Sequence, residues 1–323
     1  MPQRADGSGV DGDFGGSLGV MTSEARSVRR DRRRAGAVGA LVSSARPRQW
    51  AKNVLVFGAP ATGGVLLAAS SLVPVLFAFA SFCLTASGVY LVNDVLDIAA
   101  DRSHPTKRSR PIAAGEIAPA TALIVAATLL AGGMGLAVWG GGLPLLAVVG
   151  AYVALSFLYM LVLRDIALLD IAGVAGGFLL RAVAGGVAAD VALSMWFLMV
   201  AGFGSLFLAA GKRYAEYVEL GPERAKHRRS LGDYSESYLR YIRYSSSTIV
   251  MTAYGLWAFE GAAGGSLWSG LSIIPFVLGT LRYSLLLENG RGATPEDVVL
   301  TDVPLLAIGA AWVLLVAIGV YVA

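Results

Sequence analysis

Four polar residues at the end of an apolar run carry the chemistry this chain offers. They are Asn93, Asp94, Asp97 and Asp101, in the segment NDVLDIAADRSHPTKRSRP over residues 93–111. At helical spacing Asn93, Asp97 and Asp101 are i, i+4 and i+8, and Asp94 lies three before Asp97, so all four are predicted on one side of a helix. Carboxylates gathered at a membrane edge repel one another and are costly to desolvate unless a cation sits among them. Acids one turn apart suit Mg²⁺, a hard ion that keeps several waters and shares its other positions with substrate phosphates. Asp94, Asp97 and Asp101 are therefore the expected metal ligands. Lys107, Arg108 and Arg110 follow, and two readings stand for them: they grip phosphate, or they flank the membrane.

A second acidic turn reads Arg164-Asp-Ile-Ala-Leu-Leu-Asp170. Asp170 falls inside an apolar run or at its mouth, where an ionised group is a functional candidate by default. Asp165 is at the surface and is the weaker of the pair. Arg181 is eleven residues beyond Asp170, on the same face and about 16 Å deeper. It either joins the site or holds the bundle together through a buried acid or backbone carbonyls. Gly211-Lys-Arg-Tyr-Ala-Glu216 closes another run. Lys212 as a point charge and Arg213 as a fork suit phosphate, and they equally suit a membrane flank. The two acidic turns predict acids converging on one cavity. His104 and His227 are the only histidines; both fall in loops, without the partners of a triad or a zinc site. No P-loop motif is present.

The elements that position these groups are membrane helices. The 323 residues are 56% hydrophobic and only 15% charged, with a mean hydropathy of +0.65. Nine apolar runs are long enough to cross a bilayer: roughly 52–69, 72–93, 118–139, 143–163, 166–187, 193–210, 245–260, 267–287 and 303–322. Lys52, Asn53 and Pro60 make the first the weakest. Lys and Arg concentrate before the first run, after the second, near 164, across 211–244 and at 282–291. The alternate connections carry none. This places the N-terminus and the acids in the cytoplasm and the C-terminus outside. A net charge of +4 is accounted for by topology and anionic membrane lipid, and nothing in it argues for nucleic acid. The single Cys83 excludes an intrachain disulfide. Residues 1–44 are Gly-, Ser- and Arg-rich without a hydrophobic period, and are expected to be a disordered tail ahead of one domain over 45–323. Glycine-rich faces permit close helix packing and a homo-oligomer.

Asn93-Asp94-x-x-Asp97-x-x-x-Asp101 resembles the first aspartate-rich motif of the UbiA superfamily of intramembrane prenyltransferases. The resemblance covers nearly everything after residue 44. RPRQWAKNVLV, YLVNDVLDIAADRSHPTKRSRPIAAG, LLDIAGVAGGFLLRAVAGG, WFLMVAGFGSLFLAAGKRYAE and YGLWAFE are similar to an actinobacterial branch that moves phosphoribose onto a lipid phosphate for cell-wall arabinan. The resemblance implies an all-α integral membrane protein of the inner membrane, with nine transmembrane helices in a UbiA-like bundle and a cytoplasmic-facing polar cavity. It implies that Asn93, Asp94, Asp97 and Asp101 form a Mg²⁺–diphosphate motif and that Asp170 belongs to a second one. That second motif is usually DxxxD, whereas Asp165 and Asp170 have four residues between them, which leaves Asp165 open. Lys107, Arg108, Arg110, Lys212 and Arg213 become the phosphate-binding cations. The implied donor is 5-phosphoribosyl-1-pyrophosphate and the implied acceptor decaprenyl phosphate. Two other readings stay open: a prenyltransferase acting on an aromatic acceptor, and a membrane transporter using Asp94, Asp97, Asp170 and Arg181 as a pathway.

Overall fold

The computed structural model describes residues 36, 38–104, 106–224, 228–260, 266–290, 298 and 301–322. Every regular element among them is helical. The tail expected over 1–44 lies mostly outside the described residues. Its last stretch, 38–44, is helical, and Ala40 packs against Leu91 and Ile112.

The chain enters the bundle through a tight 3-10 segment, Pro47–Phe57, followed by α1, Gly58–Thr62. This corrects the first expected span: residues 52–69 do not form one α-helix. Pro47 opens the segment, Arg46 before it is left-handed (φ 53°), and Pro60 lacks the N–H a continuous helix needs. The segment is nevertheless central. Asn53 and Val56 are fully buried, and a Cβ on Gly185 would fall 1.7 Å from the Val56 carbonyl oxygen, so only glycine admits this approach.

α2 (Ala69–Leu96) is followed by the short α3 (Ile98–Ser103), then α4 (Pro119–Leu161), α5 (Leu169–Ala189) and α6 (Met195–Leu220). α7 (Arg229–Asp233), α8 (Glu236–Glu260), α9 (Leu267–Glu288) and α10 (Val303–Tyr321) complete the order. Six of these (α2, α4, α5, α6, α9 and α10) are long and apolar enough to cross a membrane. α8 holds the expected run 245–260, but Ser245, Ser246, Ser247 and Thr248 make it more polar.

α4 is two antiparallel helices. Gly142 has φ 64° and ψ −155°, a conformation open to glycine, and Pro144 follows. Ser81 donates to the Gly133 carbonyl at 2.7 Å, while the next residue of α2, Phe82, meets the Tyr152 ring at 5.1 Å between centroids. A straight helix would separate Gly133 from Tyr152 by about 28 Å. Both flank one turn of α2, so the chain reverses between them. The two expected runs 118–139 and 143–163 are the two arms.

Close packing rests on small residues where helices cross. At Gly133 an added Cβ would lie 2.6 Å from the Thr85 side chain, and at Gly140 2.3 Å from Phe77. One apolar core joins α2, both arms of α4 and α5 through Phe82, Ala137, Leu145, Val149 and Ala184. Another joins α8, α9 and α10 through Tyr254, Trp257, Phe276 and Trp312.

Candidate active site

The first acidic turn sits where α2 gives way to α3. Asp97 is the joint, with φ −92° and ψ 7°, well off the helical ψ. That bend breaks the expected register. Asp94 and Asp101 share one arginine, while Asp97 and Asn93 contact each other and Asp97 takes a different arginine. Arg110 Nη1 donates to Asp94 Oδ1 at 3.1 Å and to Asp101 Oδ2 at 2.7 Å. Arg46 pairs with the same Asp94 oxygen, its guanidinium lying 4.9 Å from the Tyr90 ring centroid. Asn93 Nδ2 donates to Asp97 at 3.1 Å, and Arg164 Nη1 donates to both Asp97 oxygens at 3.0 and 3.3 Å. Asp94 and Asp101 are buried, with relative exposures of 2% and 3%. Asp94, Asp97 and Asp101 therefore do not share one point as placed, and no group of three His, Cys, Asp or Glu able to hold a metal occurs among the described residues. Three arginines stand among the three acids instead.

The donor set still fits a hard cation. The acids supply oxygen only, two of them are buried, and one nitrogen of Arg110 already bridges Asp94 and Asp101. A hard divalent ion takes oxygens at about 2.0–2.1 Å, so one held here would need the carboxylates closer together and the guanidinium displaced.

Lys107 and Arg108 are exposed on a short 3-10 turn, Lys107–Ser109. No ion pair ties them to the acids among the described residues. Arg110 alone of the three turns inward, its backbone extended (ψ 138°) ahead of Pro111.

The second acidic turn is sealed. Asp170, in the first turn of α5, is 0% exposed. It accepts from Arg213 Nε at 2.7 Å, and Ser230 Oγ lies 3.0 Å from the same oxygen. Tyr234 donates to its other oxygen at 2.5 Å. Arg213 also donates to Glu216 at 2.6 Å and to Tyr159 at 2.9 Å. Leu168, two residues before Asp170, has φ 70°, a strained value for a branched residue that persists only where surroundings impose it. Its N–H donates to the Tyr234 oxygen at 2.5 Å. Burial and the carboxylate beside it push the Tyr234 phenol well above its usual range, so it remains a donor at neutral pH. Asp165 is half exposed, 4.0 Å from Arg164.

The two turns meet through Arg164. Its side chain holds Asp97, and its carbonyl lies 3.0 Å from Ser230 Oγ, which touches Asp170. Lys212, half-buried, is surrounded by the charges of Glu216, Arg213, Lys52 and Arg228. Arg228 Nη1 donates to Tyr159 at 3.0 Å. Arg181 is not brought to the acids. It donates to Asn53 Oδ1 at 2.7 Å, the Gly177 carbonyl at 2.6 Å and Tyr152 OH at 3.1 Å, and its guanidinium lies 4.6 Å from the Tyr152 ring centroid. It ties the 3-10 segment to α4 and α5.

The expected cavity between the turns is bridged by these contacts. Two hollows lie elsewhere. One of about 610 Å³ is bounded by Glu236, Arg240 and Tyr244, and one of about 170 Å³ by Thr62, Ser194 and Trp257. A third polar cluster neighbours the first of these: Glu288 accepts from Tyr214 at 3.0 Å, Arg240 at 3.2 Å and the fully buried Arg243 at 2.9 Å. Sequence reasoning gave Arg46 and Arg164 only a topological role and left Ser230, Tyr234 and Arg243 unassigned. Local sequence marks Arg46 by its place before Pro47, and Arg164 by the second acidic turn it opens.

The pattern of the UbiA prenyltransferase family matches residues 57–301. A protein of Corynebacterium glutamicum named decaprenyl-phosphate phosphoribosyltransferase is 42% identical over 288 residues, 87% of this chain and 87% of the relative. One of the same name from Mycobacterium tuberculosis is 44% identical over 294 residues, 88% of this chain and 96% of the relative. A UbiA homologue from Archaeoglobus fulgidus, solved with DMAPP and Mg²⁺, superposes with a TM-score of 0.68 at 16% identity, covering 85% of this chain and 97% of the other. A structure reported for digeranylgeranylglyceryl phosphate synthase gives 0.63 at 16% identity, covering 88% and 98%.

Proposed function

The chain belongs to the UbiA prenyltransferase family, and from that premise we propose that it transfers 5-phosphoribose from 5-phosphoribosyl-1-pyrophosphate to decaprenyl phosphate, releasing pyrophosphate. One observation carries the reading: one acidic turn, two of its three acids buried, sets three carboxylates beside three arginines, Asp94, Asp97 and Asp101 with Arg46, Arg110 and Arg164. That combination suits a metal–diphosphate, whose ion wants acids and whose oxygens want guanidinium. The choice of donor and acceptor rests on the near-full-length relatives bearing that name.

Asp94, Asp97, Asp101 and Asn93 would hold Mg²⁺, which when bound supplies charge neutralisation for the leaving diphosphate. Arg46, Arg110 and Arg164 bind diphosphate oxygens, and Lys212 binds a further donor phosphate. Lys107 and Arg108 meet the incoming anions from the exposed side. Asp170 works as a positioning residue: with both oxygens occupied, it fixes Ser230, Tyr234 and Arg213, and Arg213 in turn holds Tyr159. An acceptor phosphate oxygen attacks ribose C1, the C1–O bond to pyrophosphate breaks, and the anomeric carbon inverts. The acceptor is already ionised at neutral pH, so no general base is required. Preorganised positive charge is the main catalytic contribution.

The protein lies in the cell membrane with its acids toward the cytoplasm. Nine passes are retained: two in α4, one each in α2, α5, α6, α8, α9 and α10, and one in the 3-10 segment with α1. At about 2.0 Å per residue in a 3-10 helix, an entering segment that runs straight would reach nearly as far as a bilayer core is thick. Residues 45–323 are one catalytic domain.

Purified protein with Mg²⁺, labelled 5-phosphoribosyl-1-pyrophosphate and decaprenyl phosphate should yield labelled lipid. The same protein with prenyl diphosphate and hydroxybenzoate should yield none. Prenylated benzoate without labelled lipid refutes the proposal, as does ion flux in sealed vesicles without covalent product.

A further inference from the structure

We propose that Arg110 is an exchangeable counter-ion: it occupies the metal position between Asp94 and Asp101 when no donor is bound, and passes to the diphosphate when metal and donor arrive together. The inference rests on the functional reading above, and goes beyond it by coupling two binding events. Among the described residues, Arg110 Nη1 contacts both of these buried carboxylates, at 3.1 and 2.7 Å. Its own side chain is 27% exposed, against 3% and 4% for the acids. The acids are fixed in the interior while the cation reaches in from the rim, on an extended backbone ahead of Pro111. An arginine so placed can withdraw without unfolding anything, whereas the sealed Arg213 at Asp170, 2% exposed, cannot.

Charge balance gives the consequence. The three guanidiniums of Arg46, Arg110 and Arg164 offset the three carboxylates of Asp94, Asp97 and Asp101, with Arg164 also 4.0 Å from the exposed Asp165. A divalent ion entering alone must displace a guanidinium already paired with two carboxylates and leaves the site with excess positive charge. A diphosphate entering alone meets acids it cannot approach. Together they come close to neutrality, with the released guanidinium placed on the phosphate oxygens. Metal and diphosphate each raise the other's affinity by the same factor. Ion binding is thereby held back until a leaving group is present.

The test is calorimetric titration of Mg²⁺ into the purified full chain, with and without inorganic pyrophosphate, at buffered free Mg²⁺ and without donor or acceptor. Wild type is expected to bind Mg²⁺ weakly alone and at least tenfold more tightly with pyrophosphate. Arg110→Gln is expected to bind Mg²⁺ alone about tenfold more tightly than wild type, and to lose most of the pyrophosphate enhancement. Equal metal-only affinity in wild type and Arg110→Gln overturns the proposal, as does an undiminished enhancement in the variant. Should Arg110→Gln not fold, Arg110→Lys reads the same quantity. Its point charge reaches one carboxylate instead of two, so metal-only binding tightens several-fold, and no tightening overturns the exchange. Failure here with labelled lipid still formed refutes the exchange alone; absence of labelled lipid refutes the transferase.

Discussion

The two acidic turns use the same residue types to opposite ends. At the first, Asp94 is shared by Arg46 and Arg110, both about a quarter exposed, and Asp97 is held by Arg164, a third exposed. At the second, Asp170 and Arg213 are both almost wholly buried and are cross-braced by Ser230, Tyr234, Tyr159 and Glu216. A buried acid whose cations reach in from the rim can change partners. A buried acid whose cation is itself enclosed cannot, because separating them leaves two unpaired charges inside. The first turn is suited to binding and release, the second to bracing the helix ends around it.

The sharpest way to break this contrast is to neutralise one acid in each. Asp94→Asn or Asp97→Asn is expected to lower phosphoribosyl transfer by at least about 10²–10³-fold with the melting temperature near that of wild type; EDTA should do the same to the unaltered protein. Full activity after either treatment would remove the metal from the account. Asp170→Ala should act the other way round. It strands Arg213 in the interior and costs about 3 kcal/mol of stability, seen as a lower denaturation midpoint. An unchanged midpoint would mean the second turn is not a brace.

Much of this was legible in the sequence, and the parts that were not have physical reasons. The acids, the helical class and both arms of α4 follow from composition and period. The single face expected for all four does not survive whole: Asn93 still meets Asp97, while Asp94 and Asp101 share Arg110, because the helix bends at Asp97 itself and periodicity assumes a straight axis. The first span fails as an α-helix because Pro47 and Pro60 shape its backbone. The partners of the acids were the least visible. Arg164 lies 67 residues from Asp97 and Tyr234 lies 64 from Asp170, and no local pattern links residues so far apart. Arg181 illustrates the reverse. A buried arginine in a span invites a functional role, yet its donors go to an asparagine, a backbone carbonyl and a tyrosine.

Two smaller effects sharpen the comparison. Lys212→Ala should raise the KM for the sugar donor about tenfold, worth about 1.4 kcal/mol, and leave the acceptor KM unchanged. Equal effects on both would make Lys212 a membrane flank. Tyr234→Phe removes one donor from Asp170 and should cost about 1 kcal/mol. Because the Tyr234 phenol is held above its usual range, it keeps its proton between about pH 7 and 9, and the variant's activity profile should run parallel to wild type there. A wild-type inflection in that interval that vanishes in the variant would show that Tyr234 titrates.

The most direct measurement compares the two turns in one experiment: binding of Mg²⁺–pyrophosphate to Asp97→Asn and Asp170→Asn, both confirmed folded at the working temperature. The account predicts that Asp97→Asn loses binding while Asp170→Asn retains it within a few-fold. Loss in Asp170→Asn with retention in Asp97→Asn would contradict it.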